Sequence, residues 1–178
     1  MSVLDYIDTD IFSSVYQNKL PSPKSHNIDA ICKELFYAIK GKEEIFIYGD
    51  YDMDGFCAAK VWDEVLKSLY NVPVRHFTYK NRMHTVDPDL LTQVKNTRAR
   101  IVLICDSGSG RADRELLSLL MLDKRKPIVI DHHTWEGNYW EDTKRFLAYN
   151  SFEEKESLDG FEVSGAYASL LVASRLCE

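Results

Sequence analysis

The fold of this chain is decided by residues 45–55, whose sequence is IFIYGDYDMDG. Four apolar residues predict a short buried strand, and a helical pattern begins after the second glycine. Three aspartates, Asp50, Asp52 and Asp54, stand at alternate positions where the strand ends. Carboxylates at this spacing repel one another, and a bound divalent cation resolves the conflict because carboxylate oxygens are its natural ligands. The alternatives are a solvated acidic loop or a helix N-cap, and for Asp54 alone capping is an equally good explanation.

Two further apolar runs end in the same way. Residues 101–105 lead into Asp106-Ser107-Gly108-Ser109-Gly110, and residues 128–130 lead into Asp131-His132-His133. Imidazole is a frequent metal ligand, and a neighbouring carboxylate often orients such a ring. Because the carboxyl ends of parallel strands share one edge of a sheet, where ligands bind, the three clusters predict one site for two metal ions.

The order of the predicted elements indicates an α/β fold, an open, mostly parallel five-stranded sheet with helices on both faces. Strands are predicted at about 44–49, 73–79, 100–105, 127–130 and 146–149. Helical patterns lie between them and after the last strand. The expected division is an N-terminal extension and linker over residues 1–26, which contains two prolines, and an α/β domain over 27–178.

A helix is also predicted before the first strand; it begins at a cap on Asn27 and ends at Gly41, with Ile28, Ile31, Leu35 and Ala38 on one face. The helix after Gly55 is predicted to have a broad apolar face that includes Phe56, Ala59 and Trp62, and Cys57 stands in the same apolar stretch. Loops are predicted at 134–143 and 151–160.

The composition is that of an ordinary soluble globular protein, with 45% apolar and 28% charged residues. The formal net charge of −6 excludes a strongly basic surface overall, although a local basic patch stays open. No apolar stretch is long enough to span a membrane, and no signal peptide is visible. The four cysteines are scattered and form no Cys-x-x-Cys pair, which favours a reducing compartment and predicts a cytoplasmic protein.

The clusters resemble the motifs of the DHH phosphoesterase superfamily, in its RecJ-like branch. The matching segments are Gly49–Gly55, Asn81-Arg82, Asp106-Ser107-Gly108, Asp131-His132-His133, Asn150 and Val163–Ala166. The resemblance covers about residues 44–178 and implies a manganese- or magnesium-dependent phosphodiesterase. RecJ-like members are single-strand-specific 5′ exonucleases, while relatives cleave short oligonucleotides or cyclic dinucleotides, or hydrolyse pyrophosphate.

The chain also departs from the family pattern. A DHH domain usually continues to a strand with a fourth-motif aspartate and then to a smaller, DHHA1-type substrate-binding domain, and the sequence stops at Glu178 before either. We therefore expect weak or absent cleavage by this chain alone, and completion of the site by a continuation or by a partner chain.

The motifs assign roles to individual residues. The expected ligands of two Mn²⁺ or Mg²⁺ ions are Asp50, Asp52, Asp54, Asp106 and His132. Asp106 is the best candidate to bridge the two ions, which lie about 3.5–4 Å apart in such sites. His133 is expected to ligate, or to contact the phosphate and act as an acid, so the catalytic set is Asp106, His132 and His133. Asp131 is expected to orient a histidine.

Substrate binding is assigned to Arg82, Ser107, Gly108, Ser109 and Gly110. The backbone amides of the loop after Asp106 precede a helix and suit a phosphate, and Arg82 suits a bidentate clamp. The alternatives are a plain tight turn and an exposed loop charge. Trp135 and Trp140 suit base stacking, but packing is the more common use of such residues.

Three functions follow from these observations. The first is a Mn²⁺-binding domain of a nuclease whose partner is single-stranded nucleic acid or a short oligonucleotide. The second is a non-catalytic DHH module that binds nucleic acid or a protein partner. The third is a phosphodiesterase for short oligonucleotides or cyclic dinucleotides, which the acidic balance favours over long DNA.

Overall fold

The computed structural model of the chain describes residues 25–78, 88–155, 157–158 and 161–177. The helices are α1 (His26–Lys40), α2 (Met53–Asp63), α3 (Pro88–Lys95), α4 (Asp113–Leu122), α5 (Tyr139–Asp142) and α6 (Gly165–Cys177). The strands are β1 (Ile45–Gly49), β2 (Val74–Thr78), β3 (Ile101–Cys105), β4 (Lys126–Asp131), β5 (Leu147–Asn150), β6 (Ser157–Leu158) and β7 (Phe161–Glu162). A π-helical segment, Glu64–Leu69, continues α2. Nearly all of the predicted N-terminal extension lies outside the described residues, so this domain boundary stays a prediction.

The main sheet has five strands in the order β2-β1-β3-β4-β5, and every neighbouring pair is parallel. The predicted α/β class is therefore confirmed, and the sheet is parallel throughout. Short β6 and β7 form a separate antiparallel pair. The chain leaves β1 toward β2 on one side and returns to β3 on the other. The edge between β1 and β3 is thus the switch point at which α/β sheets bind ligands.

Two apolar layers cover the sheet, as the continuous apolar strands require. On one face Ile45 and Ile47 pack with α1, α2 and α6. On the other face Phe46 and Tyr48 pack with α3, α4 and the segment that joins β4 to β5. Because side chains alternate between the two faces of a sheet, successive residues of β1 pack in different layers.

Helix α1 shows how local sequence sets its bounds. Its buried residues are Ile28, Ile31, Leu35 and Ala38, which is the predicted face. The predicted cap, Asn27, is wrong by two residues, because the Ser25 hydroxyl accepts hydrogen bonds from the amides of Asn27 and Ile28. Gly41 ends the helix as predicted.

Other expectations need correction. The predicted apolar face of α2 is too broad. Ala58, Ala59 and Trp62 are buried, while Phe56 is exposed. The reason is that a helix packed on a sheet buries only one stripe of its surface. Cys57, expected in an apolar environment, is also exposed, and none of the four cysteines, all of them described, forms a disulfide. The loops predicted at 134–143 and 151–160 contain α5 and the β6–β7 pair. Within the described ranges, no helix has the length and apolar character that membrane crossing requires.

Candidate metal centre

Strand register brings the predicted acidic clusters to one edge of the sheet. Cys105 pairs with Gly49 of β1 and with Ile130 of β4. The next residue along each strand is an aspartate, so Asp50, Asp106 and Asp131 lie side by side at the carboxyl edge. Two sets of side chains have ligand atoms that all lie within 4.8 Å of one another: Asp50, Asp52 and Asp106, and Asp106, Asp131, His132 and His133. Asp106 belongs to both sets.

Asp106 is a buried carboxylate that the described residues leave without a hydrogen bond. Its exposed fraction is 1%, and neither carboxylate oxygen has a hydrogen-bond partner in the part of the chain described. His132 Nε2 lies 3.1 Å from Asp106 Oδ1, close enough for an ion pair but not in hydrogen-bonding geometry. Burial, reinforced by the charges of Asp54 and Asp131, raises the pKa of Asp106 to about 6. A buried, unsatisfied carboxylate at a shared position fits a divalent cation.

The backbone at Asp106 is also unusual. Its φ of 60° lies in the left-handed region, which residues other than glycine seldom adopt. Such conformations persist where the surrounding structure holds them, often at functional sites.

The three aspartates of the first motif play different parts. Asp50 is buried, and its Oδ1 accepts the amide of Tyr51. Asp52 is the N-cap of α2, with Oδ1 accepting the Gly55 amide at 3.0 Å. Capping, the alternative considered for Asp54, therefore applies to Asp52 within its own helix, which leaves the second oxygen of Asp52 for another partner.

Asp54 caps a different helix. Its Oδ2 accepts the Gly165 amide and its Oδ1 the Ala166 amide, each at 2.8 Å, at the first turn of α6. The same Oδ2 lies 3.5 Å from His132 Nε2. Among the described residues Asp54 belongs to neither set of convergent ligand atoms. It lies beside the centre while satisfying the amides of α6.

Two glycines let α2 begin directly against the end of β1. A Cβ atom on Gly55 would lie 2.5 Å from the Asp50 amide nitrogen, and one on Gly49 would lie 2.7 Å from the Gly55 carbonyl oxygen. These contacts are with backbone atoms, which have little freedom to move. A side chain on either glycine would therefore push the first turn of α2 away from the end of β1.

Asp131 orients the histidine pair. It is fully buried, and its Oδ1 accepts the His132 amide at 2.7 Å and pairs with His133 Nδ1 at 2.8 Å. Its Oδ2 accepts the Ser109 amide at 3.1 Å. Burial works to raise the pKa of Asp131, but the hydrogen bonds from His133 and Ser109 lower it overall.

The two imidazoles have different environments. The hydrogen bond with Asp131 raises the pKa of His133 to about 9, so the ring carries a proton at neutral pH. The adjacent Asp106 carboxylate raises the pKa of His132, although burial opposes the shift. His132 Nε2 lies 3.5 Å from Asp54 Oδ2 and 3.1 Å from Asp106 Oδ1, so its role as a metal ligand stays a prediction that this placement allows.

The loop after β3 contains the residues of the predicted phosphate site. The Ser109 amide donates to Asp131, and the Gly110 amide donates to Asp113 Oδ2 at 3.1 Å. Both amides thus already have carboxylate acceptors within the protein, and the substrate-binding role of Ser109 and Gly110 stays a prediction. Ser107 keeps a buried hydroxyl without a hydrogen-bond partner in the described ranges, and Gly108 has a φ of 107°.

Arg114 holds this loop through hydrogen bonds to its backbone carbonyls, and this role was not predicted from the sequence. Its Nη1 donates to the Gly108 carbonyl at 2.8 Å and its Nη2 to the Ser109 carbonyl at 3.3 Å. Its guanidinium lies 4.1 Å from the Trp135 ring centroid, and its Nε donates to Asp142. An arginine in the first turn of a helix is unfavourable because its charge opposes the helix dipole. This placement was the feature of the sequence that could have indicated a specific role for Arg114.

Asn150 joins the loops that follow β3 and β4. This fully buried amide donates to Ser109 Oγ at 2.8 Å and to the His133 carbonyl at 2.9 Å. Its Oδ1 accepts the Glu153 amide. Asn150 was predicted to belong to the site only because its position resembles that of a DHH family motif. A polar residue at the end of a buried strand has to find partners, and that is a physical signal for its role.

The remaining predicted residues divide clearly. Trp135 is only 5% exposed and packs on Phe146 and Tyr139, so the packing interpretation holds for it. Trp140 is 57% exposed. Arg82, the predicted phosphate clamp, lies outside the described residues.

A cavity of about 410 Å³ adjoins the centre at the β1–β3 switch point. Asp50, Asp106 and His133 line one side of it, and Ile104 and Leu116 contribute an apolar floor. This volume is in the usual range for ligand sites, which starts at about 300 Å³.

Residues 44–175 match the DHH family, N-terminal domain. The match covers most of the chain, and the chain therefore belongs to the DHH family. Its fold is RecJ-like, and the family match together with the acidic and histidine cluster indicates a metal-dependent phosphoesterase. No curated protein sequence matches the chain significantly.

Several solved structures share the fold. An exonuclease RecJ bound to manganese is 19% identical with a TM-score of 0.68, over 86% of this chain and 38% of that chain. RecJ in complex with Mn²⁺ from Thermus thermophilus is 20% identical with a TM-score of 0.64, over 90% and 22%. CDC45 from Entamoeba histolytica is 19% identical with a TM-score of 0.57, over 83% and 30%. At these identities the likeness shows the fold alone, and the chain spans well under half the length of each.

Proposed function

We propose that this chain is a Mn²⁺-dependent phosphodiesterase domain that cleaves single-stranded nucleic acid or short oligonucleotides. The observation that carries the proposal is Asp106, which is buried, lacks a hydrogen bond within the described residues, and is shared by two clusters of ligand atoms. Packing alone gives no reason to bury a carboxylate that has no hydrogen bond. A carboxylate shared by two metal ions, by contrast, has to keep its oxygens free of protein donors so that they can bind the ions.

The donor set supports manganese. Asp50, Asp52, Asp106 and His132 would hold the metal, with Asp54 close to His132, and mixed oxygen and imidazole donors suit Mn²⁺ better than Ca²⁺. Two divalent cations in such a site supply a nucleophile at neutral pH and neutralise charge on the phosphate oxygens. The two RecJ structures of the same fold contain manganese, which agrees with this choice.

The residues of the chain have their own tasks around the phosphate. The pairing with Asp131 fixes the His133 ring, leaves its Nε2 as the nitrogen for the substrate, and keeps the ring protonated at neutral pH. His133 would thus contact the phosphate and donate a proton to the leaving oxygen. Ser107 Oγ and Gly108 line the cavity next to it, and Arg82 is the proposed clamp.

A second function has a specific observation in its favour. Asp54 uses both carboxylate oxygens to cap α6, as a purely structural aspartate does. A DHH module that binds nucleic acid or a protein partner without cleaving it would retain such a contact. For either function we propose a cytoplasmic location, because the four cysteines form no disulfide.

The deciding experiment is a cleavage assay with Mn²⁺ and 5′-labelled substrates. A long single strand, a short oligonucleotide and a cyclic dinucleotide are compared, with Asp106→Ala and chelation as controls. We expect Mn²⁺-dependent cleavage that falls by about 100-fold or more in the variant, since even supporting residues of a metal site are worth about 10–100-fold.

The same assay measures the expected weak turnover of the chain alone, which stays a prediction. Tight Mn²⁺ binding without cleavage of any substrate, both by the chain alone and with a longer chain or a partner that supplies a further carboxylate, would favour the non-catalytic module. Absence of Mn²⁺ binding would contradict the proposed function.

A further inference from the structure

Gly165, the first residue of α6, meets two carboxylates of the centre at once. It is buried, and its amide donates to Asp54 Oδ2 at 2.8 Å. A Cβ atom on this residue would lie 2.2 Å from Asp106 Oδ1, 2.7 Å from its Cγ and 2.8 Å from its Cβ. The bare Cα of Gly165 therefore forms the wall against which the Asp106 side chain rests.

The backbone does not explain this glycine. The glycines with positive φ in the described ranges are Gly108 and Gly137, and Gly165 is not among them. Alanine could adopt the helical conformation at this position, and in most helices it would be preferred. What the position requires is space for Asp106, and turning the carboxylate about its own bonds cannot provide it, because Asp106 Cβ is itself too close.

No hydrogen bond within the described residues restrains the carboxylate of Asp106. Its position follows from the left-handed backbone, the nearby His132 and the contact with Gly165. We propose that Gly165 is a positioning residue of the metal centre: its amide holds Asp54, and its missing side chain lets Asp106 occupy the shared ligand position. The proposal rests on the proposed function for its metal, but its steric part is independent of metal.

The first test is Mn²⁺ affinity in Gly165→Ala, measured by paramagnetic resonance of free Mn²⁺ during titration. We expect binding to weaken by about 10-fold or more, as for other residues that orient ligands. Gly41→Ala is the matched control, because Gly41 has an ordinary φ of −78° and a Cβ there would meet nothing closer than 3.3 Å. Unchanged Mn²⁺ affinity in Gly165→Ala would overturn the proposal.

The second test is a double-mutant cycle on the metal-free protein. Gly165→Ala should lower the melting temperature in the natural background and leave it unchanged or raised in the Asp106→Gly background, where the whole Asp106 side chain, including the Cβ atom that lies 2.8 Å away, is removed. If Gly165→Ala alone fails to fold, the double variant should fold again.

Equal losses in both backgrounds, or a double variant that also fails to fold, would overturn the proposal. A wild-type protein that binds no Mn²⁺ would instead contradict the proposed function. The cycle would then still decide whether Gly165 makes room for Asp106.

Discussion

Asp63 and Asp106 are two aspartates of one molecule in opposite environments. Asp63 ends α2 with its side chain 16% exposed, and Lys67 Nζ and His76 Nε2 each lie 2.6 Å from its Oδ1. Burial works to raise the pKa of Asp63, but the hydrogen bonds from Lys67 and His76 lower it to about 2. Asp106 accepts no hydrogen bond within the described residues, and burial raises its pKa to about 6 although His132 opposes the shift.

The difference separates two uses of a carboxylate. At Asp63 the cations belong to the protein, so the charge is matched by folding alone. At Asp106 the fold gathers further negative charges, and the counter-charges that the described residues bring close to it are the imidazoles of His132 and His133. Clustered carboxylates without matching cations lower the stability of the metal-free protein. Such a cluster is expected only where the function of the protein requires it.

The largest expected effect concerns metal. Mn²⁺ at 100 times its dissociation constant should raise the free energy of unfolding by about 2.7 kcal/mol. Asp106→Asn should abolish this gain because it removes the shared carboxylate, while Asp63→Asn should keep it. Denaturant unfolding of each variant with and without Mn²⁺ measures the four values. If Mn²⁺ raised the free energy of unfolding of Asp106→Asn as much as that of Asp63→Asn, Asp106 would not be the shared metal ligand and the two aspartates would not differ in this respect.

A smaller effect concerns the metal-free protein at pH 7. Asp106→Asn removes a buried charge that has no hydrogen bond within the described residues, so the free energy of unfolding should rise by about 1 kcal/mol. The gain stays modest because the new amide also needs partners. Chemical denaturation in the presence of a chelator measures it. A clear loss of stability would show that the Asp106 carboxylate has structural partners.

The smallest effect concerns acid. The folded pKa of Asp63, about 2, lies below its ordinary value of 3.8, so its stabilising contribution is present above pH 3.8 and is lost as the pH falls through 2. We expect that loss to be about 0.5 kcal/mol, because Lys60 and Lys67 are half exposed and solvent screens them. Asp63→Asn should flatten the stability profile in this range. Equal slopes for the variant and the natural chain would contradict the pairing.

Much of the fold was predictable because its signals are local. Apolar runs such as Ile101–Cys105 carry their own strand pattern, and the periodicity of Ile28, Ile31 and Leu35 indicates one helix face. The convergence of Asp50 and Asp106 was also predictable, since parallel strands share a carboxyl edge. The expected set of five strands needed only small changes of bounds.

The sequence by itself thus determined which five strands form the main sheet, which face α1 buries and which edge of the sheet collects the aspartates. Tertiary structure alone decided how each polar group is used: that Asp54 caps a helix 111 residues away, that carboxylates occupy the amides of Ser109 and Gly110, and that Gly165 makes room for Asp106. The physical reason is that periodicity and strand order are properties of neighbouring residues. The partner of a hydrogen bond, or the space beside a Cα atom, depends on which distant segments the packed core brings into contact.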